Sequence, residues 1–211
     1  MGTAWSRNLG RYRLIRELSA GQDNRVYLAE DTRRGLRTCA VKILRVAGDR
    51  ALEAAEREFG ALRKLEHSAI AEVYDFGRIP ADEARGLGLT WLAAWDPFTE
   101  GEERGSFPNN SAEACYIACA YYNGRNLRET FQCLFEAASE AALAEPASAG
   151  AWEVFIDAIA QTLEALHAIH SRGLIHYDIK PENLILVPRS SAGGSDGPSR
   201  VSGFDVKVLD F

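Results

Sequence analysis

The first fifty residues alternate short apolar runs with turn-forming residues. Runs rich in Leu, Ile, Val and Tyr are broken at Ser19-Ala20-Gly21 and again at Arg33-Arg34-Gly35. This punctuation is typical of antiparallel strands joined by tight turns. It predicts three strands, at about 12–18, 25–31 and 37–44.

A helical period replaces this pattern after residue 50. Apolar residues recur every three or four positions with charged residues between them, which predicts an amphipathic helix over about 50–66. Two further strands are predicted at about 70–76 and 115–121. The segment between them, about 80–114, has no sustained period and is predicted to be an excursion loop. Three apolar residues are expected to tack part of it down: Trp91, Leu92 and Trp95.

The second half of the chain is mainly helical by the same criterion. A short helix around 127–135 is followed by an Ala-rich stretch that ends in a predicted linker at 146–150. A long, mostly buried helix is predicted over 151–171, with Gly173 as its C-cap. The last predicted elements are strands at 184–187 and 206–209, which form a small hairpin with a Ser/Gly-rich tip.

Composition narrows the class of protein. With 211 residues, 46% hydrophobic and a net charge of −6, the chain is long enough to bury a core and has ordinary soluble composition. The acidic balance disfavours a nucleic-acid partner, which needs a basic surface. No apolar stretch is long enough for a membrane span. The four cysteines form no CxxC pair, so we expect reduced thiols and a cytoplasmic location.

Two segments in the first half carry candidate chemistry. The segment Leu18–Val26 joins the first two strands through Gly21 and Asn24, which tolerate positive φ, so the turn is able to lay backbone N–H groups over phosphate oxygens. A plain hairpin turn is the alternative. Lys42 falls in the interior pattern of the third strand, where its ammonium needs an anion such as Glu58. The alternative is that both are surface residues.

The second half contains the most specific segment, His176-Tyr177-Asp178-Ile179-Lys180-Pro181-Glu182-Asn183, directly after the long helix and before an apolar run. Near the end of the chain, Asp210 follows the last predicted strand. Asn183 and Asp210 both offer oxygen ligands of the kind that a hard cation prefers.

Taken together and in this order, these segments resemble the eukaryotic-type (Hanks-type) serine/threonine protein kinases, of the sort also found in bacteria, from residue 12 to residue 211. The resemblance implies an α+β, bilobal, protein-kinase-like fold. Its N-lobe has a five-stranded antiparallel sheet and one helix, and its C-lobe is mainly helical and incomplete. The expected divisions are an N-terminal tail over 1–11, the N-lobe over 12–122 with an insertion at about 80–114, and a partial C-lobe over 123–211.

The resemblance also implies the site. Asp178 is the catalytic base, Lys180 neutralises charge on the transferred phosphoryl group, and Lys42, held by Glu58, binds ATP phosphates. Mg²⁺ or Mn²⁺ is held by Asn183 and Asp210. The remaining nucleotide-binding positions are Leu18, Ser19, Gly21, Val26, Ala40, Cys119 as gatekeeper, Ala120, Tyr122 and Ile185. The implied partner is a protein with a serine or threonine hydroxyl.

The sequence departs from the family pattern at three places. Ser19 and Asn24 stand where the family has the first and third loop glycines, so weaker nucleotide binding is expected. Tyr177 replaces an arginine that in many kinases meets a phosphorylated activation loop, which argues against that form of regulation. Since the chain stops at Phe211, before the activation segment, we expect it to be truncated, to expose an apolar face of the long helix and to transfer phosphate slowly or not at all.

Two other functions remain open at this point. The first is a truncated or degenerate kinase that binds a nucleotide or a partner without chemistry. The second is a metal-dependent hydrolase, suggested only by His167 and His170 on one helix and lacking an accompanying HExxH glutamate. The sequence does not specify the protein substrate, the pathway, further domains or the oligomeric state.

Overall fold

The structure is a computed structural model that describes residues 7–46, 48–89, 92, 113–141, 148–189 and 203–209. The chain divides into two compact units: Met1–Arg63 with Val73–Tyr121, and Lys64–Glu72 with Tyr122–Phe211. The second unit is therefore discontinuous in sequence, because it takes nine residues from between elements of the first.

Unit 1 is built on a six-stranded antiparallel sheet in the order β1-β2-β3-β4-β6-β5. Its elements, in chain order, are β1 (Arg7–Leu9), β2 (Tyr12–Ala20), β3 (Asn24–Asp31), β4 (Arg37–Val46), α1 (Asp49–Leu62), β5 (Val73–Ile79), α2 (Ala81–Gly86) and β6 (Glu113–Ala120). The five-strand prediction was thus one strand short, since β1 lies in the stretch predicted to be a tail. Three residues are too few for strand periodicity to be visible in sequence.

The core of unit 1 lies on one face of this sheet. Alternation along β4 places Cys39, Val41 and Ile43 on that face, each 0% exposed. Residues after α2 pack into the same cluster, namely Leu87, Leu89 and Leu92. The predicted excursion loop therefore contains a helix and three core leucines. Leu92 is buried as expected, whereas Trp91 and Trp95 lie outside the described residues.

The position of β5 was predicted wrongly. The expected strand at 70–76 lies instead at Val73–Ile79. Ile70 makes an isolated parallel bridge to Val208, in unit 2. The apolar run at 69–71 therefore marks contact with β9 of unit 2, a tertiary effect that local pattern does not separate from membership of the unit 1 sheet.

Unit 2 combines two helices with a three-stranded antiparallel sheet of order β7-β8-β9. Its elements are β7 (Arg125–Asn126), α3 (Leu127–Ala141), α4 (Ser148–His170), a 3₁₀ turn (Pro181–Asn183), β8 (Leu184–Pro188) and β9 (Phe204–Val208). The predicted hairpin at the end of the chain is confirmed, and residues 190–202 of its tip lie outside the described residues.

Local hydrogen bonds define where α3 begins and where α4 ends. At the start of α3, the Asn126 side chain accepts from the Glu129 N–H at 2.8 Å and the Glu129 carboxylate accepts from the Asn126 N–H at 3.3 Å, a reciprocal capping box. At the end of α4, Gly173 has φ 72° and donates to the His170 carbonyl at 2.9 Å. This left-handed residue terminates the helix, as predicted.

Candidate active site

The turn between β2 and β3 is short and closed by its own backbone. The Gly21 N–H donates to the Asn24 carbonyl at 2.9 Å, so Gln22 and Asp23 form the tip. A Cβ atom on Gly21 would lie 2.9 Å from Asn24 Oδ1, the end of a side chain that is free to rotate, so a small side chain at position 21 would require only a shift of Asn24. Ser19 pairs with Val26 across the hairpin, and these predicted nucleotide-binding residues therefore share one element pair.

The strand β4 presents Lys42 on the face opposite the core. Lys42 is half-buried between Val26 of β3 and Ile117 of β6, and Ala40 lies two residues away on the same face, opposite Cys119. Val26, Ala40, Lys42 and Cys119 are thus brought together on one surface of the sheet.

The predicted ion pair between Lys42 and Glu58 is absent from the described part of the chain. Glu58 lies on the exposed side of α1, whose buried residues are Leu52, Phe59 and Leu62. The helical spacing that buries those three residues directs Glu58 away from the core.

The predicted catalytic-loop residues of unit 2 form one hydrogen-bonded group. Lys180 Nζ lies 2.6 Å from Asp178 Oδ2, and Asn183 Nδ2 donates both to the same carboxylate oxygen at 3.0 Å and to the Asp178 carbonyl at 2.9 Å. Asn183 is buried, whereas the side chains of Asp178 and Lys180 are about half exposed. The loop therefore presents an accessible carboxylate, that of Asp178, whose position is held by the buried Asn183 side chain.

His176 braces this loop from the interior. It is 2% exposed, its Nε2 lies 2.8 Å from the Leu209 carbonyl, and its Nδ1 accepts from the Asp178 N–H at 3.3 Å. An acceptor at Nε2 and a donor at Nδ1 fix the neutral Nε2–H tautomer. Tyr177, between them, has φ 61° within a three-residue turn closed by the Asp178 N–H and the His176 carbonyl. Such a conformation is strained for a residue other than glycine.

The charge of Asp178 follows from these contacts. The hydrogen bond from Lys180 lowers the pKa of the Asp178 carboxyl below its ordinary value, and the bond from Asn183 acts in the same direction. Asp178 is therefore an ionised acceptor at neutral pH, able to receive a hydrogen bond from an incoming hydroxyl group.

Comparison with known proteins shows which family the chain belongs to. The sequence profile described as "Protein kinase domain" matches residues 12–211. The chain belongs to the protein kinase domain family.

Curated bacterial kinases are similar over most of this chain. A probable serine/threonine-protein kinase PknB of Lactococcus lactis is 26% identical over 95% of the chain and 23% of its own length. The serine/threonine-protein kinase PknA of Mycobacterium tuberculosis is 28% identical over 85% of the chain and 33% of its own length. The chain thus spans about a quarter to a third of these kinases.

A solved kinase domain supports the fold. The crystal structure of the Mycobacterium tuberculosis PknI kinase domain, C20A mutant, matches with a TM-score of 0.57 and 21% identity, covering 100% of this chain and 63% of that one. The predicted protein-kinase fold is confirmed, with six strands in unit 1 instead of five.

Three of the predicted nucleotide-binding residues, Cys119, Ala120 and Tyr122, lie at or just after the end of β6. Cys119 is half-buried between Ala40 and Val73, and Ala120 is buried. In unit 2, the Tyr122 hydroxyl accepts from the Glu72 N–H at 3.5 Å, and Lys207 Nζ lies 5.2 Å from the centre of the Tyr122 ring. These two contacts hold the Tyr122 side chain against other residues of unit 2.

Two features near the candidate site were missed in the sequence. Gly124 approaches β8 so closely that a Cβ atom would lie 2.3 Å from the Leu186 carbonyl oxygen, so no side chain fits. Arg25 and Arg45 both contact the turn between β2 and β3. Neither arginine had a sequence signal, because their partners include backbone carbonyls, which every residue carries.

The metal-binding prediction is only half covered by the structure. Asn183 is described, but Asp210 lies outside the described residues, as does Phe211. Within the described ranges, no three His, Cys, Asp or Glu side chains converge as a metal site requires. Ile185, the last predicted nucleotide contact, is half-buried on β8 between Asn126 and Lys207.

All four cysteines are free, with Cys39 and Cys115 buried and Cys133 exposed. None of the helices in the described ranges has the length and apolar character needed to cross a bilayer.

Proposed function

We propose that the chain forms part of the catalytic domain of an ATP-dependent serine/threonine protein kinase. The observation that carries the proposal is the group formed by Asp178, Lys180 and Asn183, with 2.6 Å and 3.0 Å contacts on one carboxylate oxygen. An ionised, positioned carboxylate is what the family uses to orient a substrate hydroxyl for attack on the terminal phosphate of ATP.

In this proposal each residue of the loop has a separate task. Asp178 accepts the hydrogen bond of the substrate hydroxyl and fixes its direction. Lys180, already beside that carboxylate, supplies a cation where negative charge develops on the transferred phosphoryl group. Tyr177 constrains the backbone before Asp178, and His176 holds it from below.

Asn183 fits the role of a ligand for Mg²⁺ or Mn²⁺. Its amide nitrogen is committed to Asp178, which leaves its carbonyl oxygen as the donor, the ligand type that hard cations prefer. Asp210 would be the second ligand. When bound, the ion neutralises charge on the phosphate oxygens.

The nucleotide would contact the face of the unit 1 sheet that lies opposite the hydrophobic core. Val26, Ala40 and Cys119 offer apolar surface for adenine, and Lys42 offers a cation for the phosphates. Leu18, Ser19 and Gly21 lie on the hairpin that would cover them. Ala120, Tyr122 and Ile185 are the other predicted adenine contacts. Glu58 remains the predicted partner of Lys42, although no ion pair joins the two in the described part of the chain.

Serine and threonine are the proposed acceptors. Lys180-Pro181-Glu182-Asn183 resembles the serine/threonine subfamily, and the curated relatives carry serine/threonine-kinase names. The free cysteines fit a reducing, cytoplasmic compartment.

A second candidate is a nucleotide-binding module without chemistry. The observation that favours it is the poor glycine content of the turn between β2 and β3, where Gly21 is the single glycine between Leu18 and Val26. A turn with a single glycine is stiffer, so in this candidate it binds the phosphates but does not move with the phosphoryl group during transfer.

One experiment separates the two candidates. Titration of the 211-residue chain with ATP and Mg²⁺ measures binding, and radiolabelled phosphate transfer to casein and myelin basic protein measures chemistry. We expect slow transfer by the wild-type chain, which falls further by about 10²–10⁴-fold in Asp178→Asn, the usual effect of removing a catalytic base, with ATP binding retained. Asp205→Asn is the matched control. Asp205 lies on β9, outside the loop that contains Asp178, and its carboxylate forms an ion pair with Arg189.

Each alternative result has a defined meaning. Binding of ATP without transfer in the wild-type chain would establish the second candidate. Transfer that is equal in Asp178→Asn and in the wild type would exclude the proposed role of Asp178, and absence of both binding and transfer would reject both candidates.

A further inference from the structure

Arg25 closes the turn between β2 and β3 from one side. Its Nη1 donates to the Gly21 carbonyl and, at 2.9 Å, to the Asn24 carbonyl. Its Nε lies 3.9 Å from Glu17, and its side chain is 21% exposed, so the guanidinium lies against the hairpin rather than in solvent. A single side chain thus holds both carbonyls that flank the tip.

Arg45, on β4, holds the same turn from the other side. Its backbone N–H donates to the Asp23 carbonyl at 2.9 Å, and its Nη1 lies 3.5 Å from Asp23 Oδ1. The Arg45 side chain is 8% exposed. Two arginines therefore hold the peptide groups on both sides of the one that joins Gln22 to Asp23, in a turn that contains one glycine.

These contacts determine where the Gln22 N–H points, and they restrict the Asp23 N–H indirectly, because its peptide group lies between two held ones. A peptide group is planar and trans, so a carbonyl held on one side directs the N–H of the next residue to the opposite side. The Gly21 carbonyl faces Arg25, and the Gln22 N–H therefore points away from it. Within the described residues, the N–H groups of Gln22 and Asp23 donate to no acceptor.

We infer that Arg25, supported by Arg45, is a positioning residue for ATP phosphates: it fixes the turn so that the free N–H groups of Gln22 and Asp23 form a ready anion-binding surface. Successive backbone N–H groups directed into one space bind phosphate oxygens well. The inference rests on the proposed function, because it concerns the nucleotide of that same site. Arg25 acts through the backbone and does not itself contact the phosphates.

A purely structural role for Arg25 makes a different prediction. A residue that only stabilises the hairpin would affect adenosine and ATP alike when removed. A residue that positions the tip affects only ligands with phosphates, and its loss is partly restored by another cation. The distinction therefore lies in the ratio of two affinities.

The test compares four forms of the 211-residue chain: wild type, Arg25→Gln, Arg25→Lys and the control Arg16→Gln. Arg16 is an exposed arginine on β2 of the same hairpin, so its replacement removes an equal charge without touching the turn. Calorimetric titration with adenosine, ADP and ATP gives the Kd values. Amide ¹⁵N relaxation of Gln22 and Asp23 in nucleotide-free protein gives the order of the tip.

We expect Arg25→Gln to raise the Kd for ATP and ADP by about tenfold, the weight of charge-assisted hydrogen bonds, while the Kd for adenosine stays the same. Arg25→Lys should recover part of the loss, because lysine keeps one donor for the two carbonyls. Arg16→Gln should leave all three Kd values unchanged. The Gln22 and Asp23 amides should become more mobile in Arg25→Gln alone.

Three results would overturn the inference. Equal losses of adenosine and ATP affinity in Arg25→Gln would assign it a structural role, and unchanged ATP affinity would assign it none. Failure of the wild-type chain to bind any nucleotide would reject the proposed function together with this inference. In contrast, normal wild-type binding with an unaffected Arg25→Gln rejects the inference and leaves the proposed function intact.

Discussion

The pKa of Asp178 is lowered mainly by a lysine two residues away. Lys180 Nζ lies 2.6 Å from the Asp178 carboxylate, and this hydrogen bond is the main cause of the lowered pKa of Asp178. Since the Asp178 side chain is 54% exposed, water screens the pair and its effect on stability is small. The pair therefore matters for the protonation of the loop rather than for the fold.

Lys180→Met is predicted to raise the pKa of Asp178 towards its ordinary value. With Lys180 present the folded-state pKa is depressed, so the carboxylate stays ionised above the unfolded pKa and is protonated only as the pH falls through the lower folded value. Removing the lysine moves that protonation to higher pH. A ¹³C NMR titration of the Asp178 carboxyl measures the change.

Lys64→Met is the control, because Lys64 is an exposed lysine of the same unit with no ion pair among the described residues. Its Asp178 titration should match that of the wild type. An unchanged midpoint in Lys180→Met would mean that Asn183, and not Lys180, sets the charge of Asp178.

The sequence was more informative about the predicted catalytic side chains than about their partners. Asp178, Lys180 and Asn183 were predicted because they stand in one short segment that resembles the family motif. The carbonyls of Leu209, Gly21 and Asn24 were not predicted, although His176 and Arg25 depend on them. A backbone acceptor has no residue type, so only the fold reveals it.

At the scale of single elements, Gln161 of α4 completes the edge of β9. Gln161 is 1% exposed, its Oε1 accepts from the Val206 N–H at 2.8 Å, and its Nε2 donates to Asp157 at 2.9 Å. A side-chain amide thus takes the place of a neighbouring strand. Val206 would otherwise carry a buried N–H without an acceptor.

Gln161→Met is predicted to destabilise unit 2 by about 1–3 kcal/mol, the cost of a buried donor left without a partner. Methionine has a similar volume and retains the packing, so the loss isolates the hydrogen bond. Urea unfolding measures the free energy, and hydrogen exchange at the Val206 amide locates the change.

Ala160→Met places the same side chain on the exposed neighbouring position of α4 and serves as the control. It should alter the free energy of unfolding by less than about 0.5 kcal/mol. Slow exchange at Val206 in Gln161→Met would show that another group replaces the glutamine.

Elements in which the apolar repeat continues over many residues were predicted well. Short elements whose burial depends on tertiary contacts were not. α4 was placed within three residues at its start, because apolar positions repeat over its whole length. α2 was missed, because six residues cover fewer than two turns and its burial depends on leucines that follow it.

At the scale of the whole molecule, α4 presents an apolar stripe to solvent. Trp152, Ile156 and Leu163 are 56%, 65% and 59% exposed and share one face of the helix. The opposite face is packed, with Ala165 and Ile169 at 0%. The predicted exposure of an apolar face is therefore confirmed, whereas the prediction of a mostly buried helix holds for only one side.

Leu163→Lys is predicted to reduce binding of the dye ANS to the 211-residue chain while changing the free energy of unfolding by less than about 0.5 kcal/mol, because an exposed side chain contributes little packing. Fluorescence titration and urea unfolding measure the two quantities. Ile169→Lys, at a fully buried position of the same helix, should instead unfold unit 2. Equal destabilisation by both substitutions would show that the stripe is covered.

The stretch Lys64–Glu72 lies between α1 and β5 in sequence but belongs to unit 2, where the Ala69 carbonyl accepts from the Val208 N–H at 2.8 Å and the Ala71 N–H donates to the Val208 carbonyl at 3.0 Å. A boundary drawn after Tyr121 therefore does not yield two self-sufficient pieces. A fragment beginning at Tyr122 would carry β9 with an open edge at Val208, and its missing partner would travel with the other fragment. Gene splitting or domain exchange at this point would thus require the two halves to re-associate before either is complete.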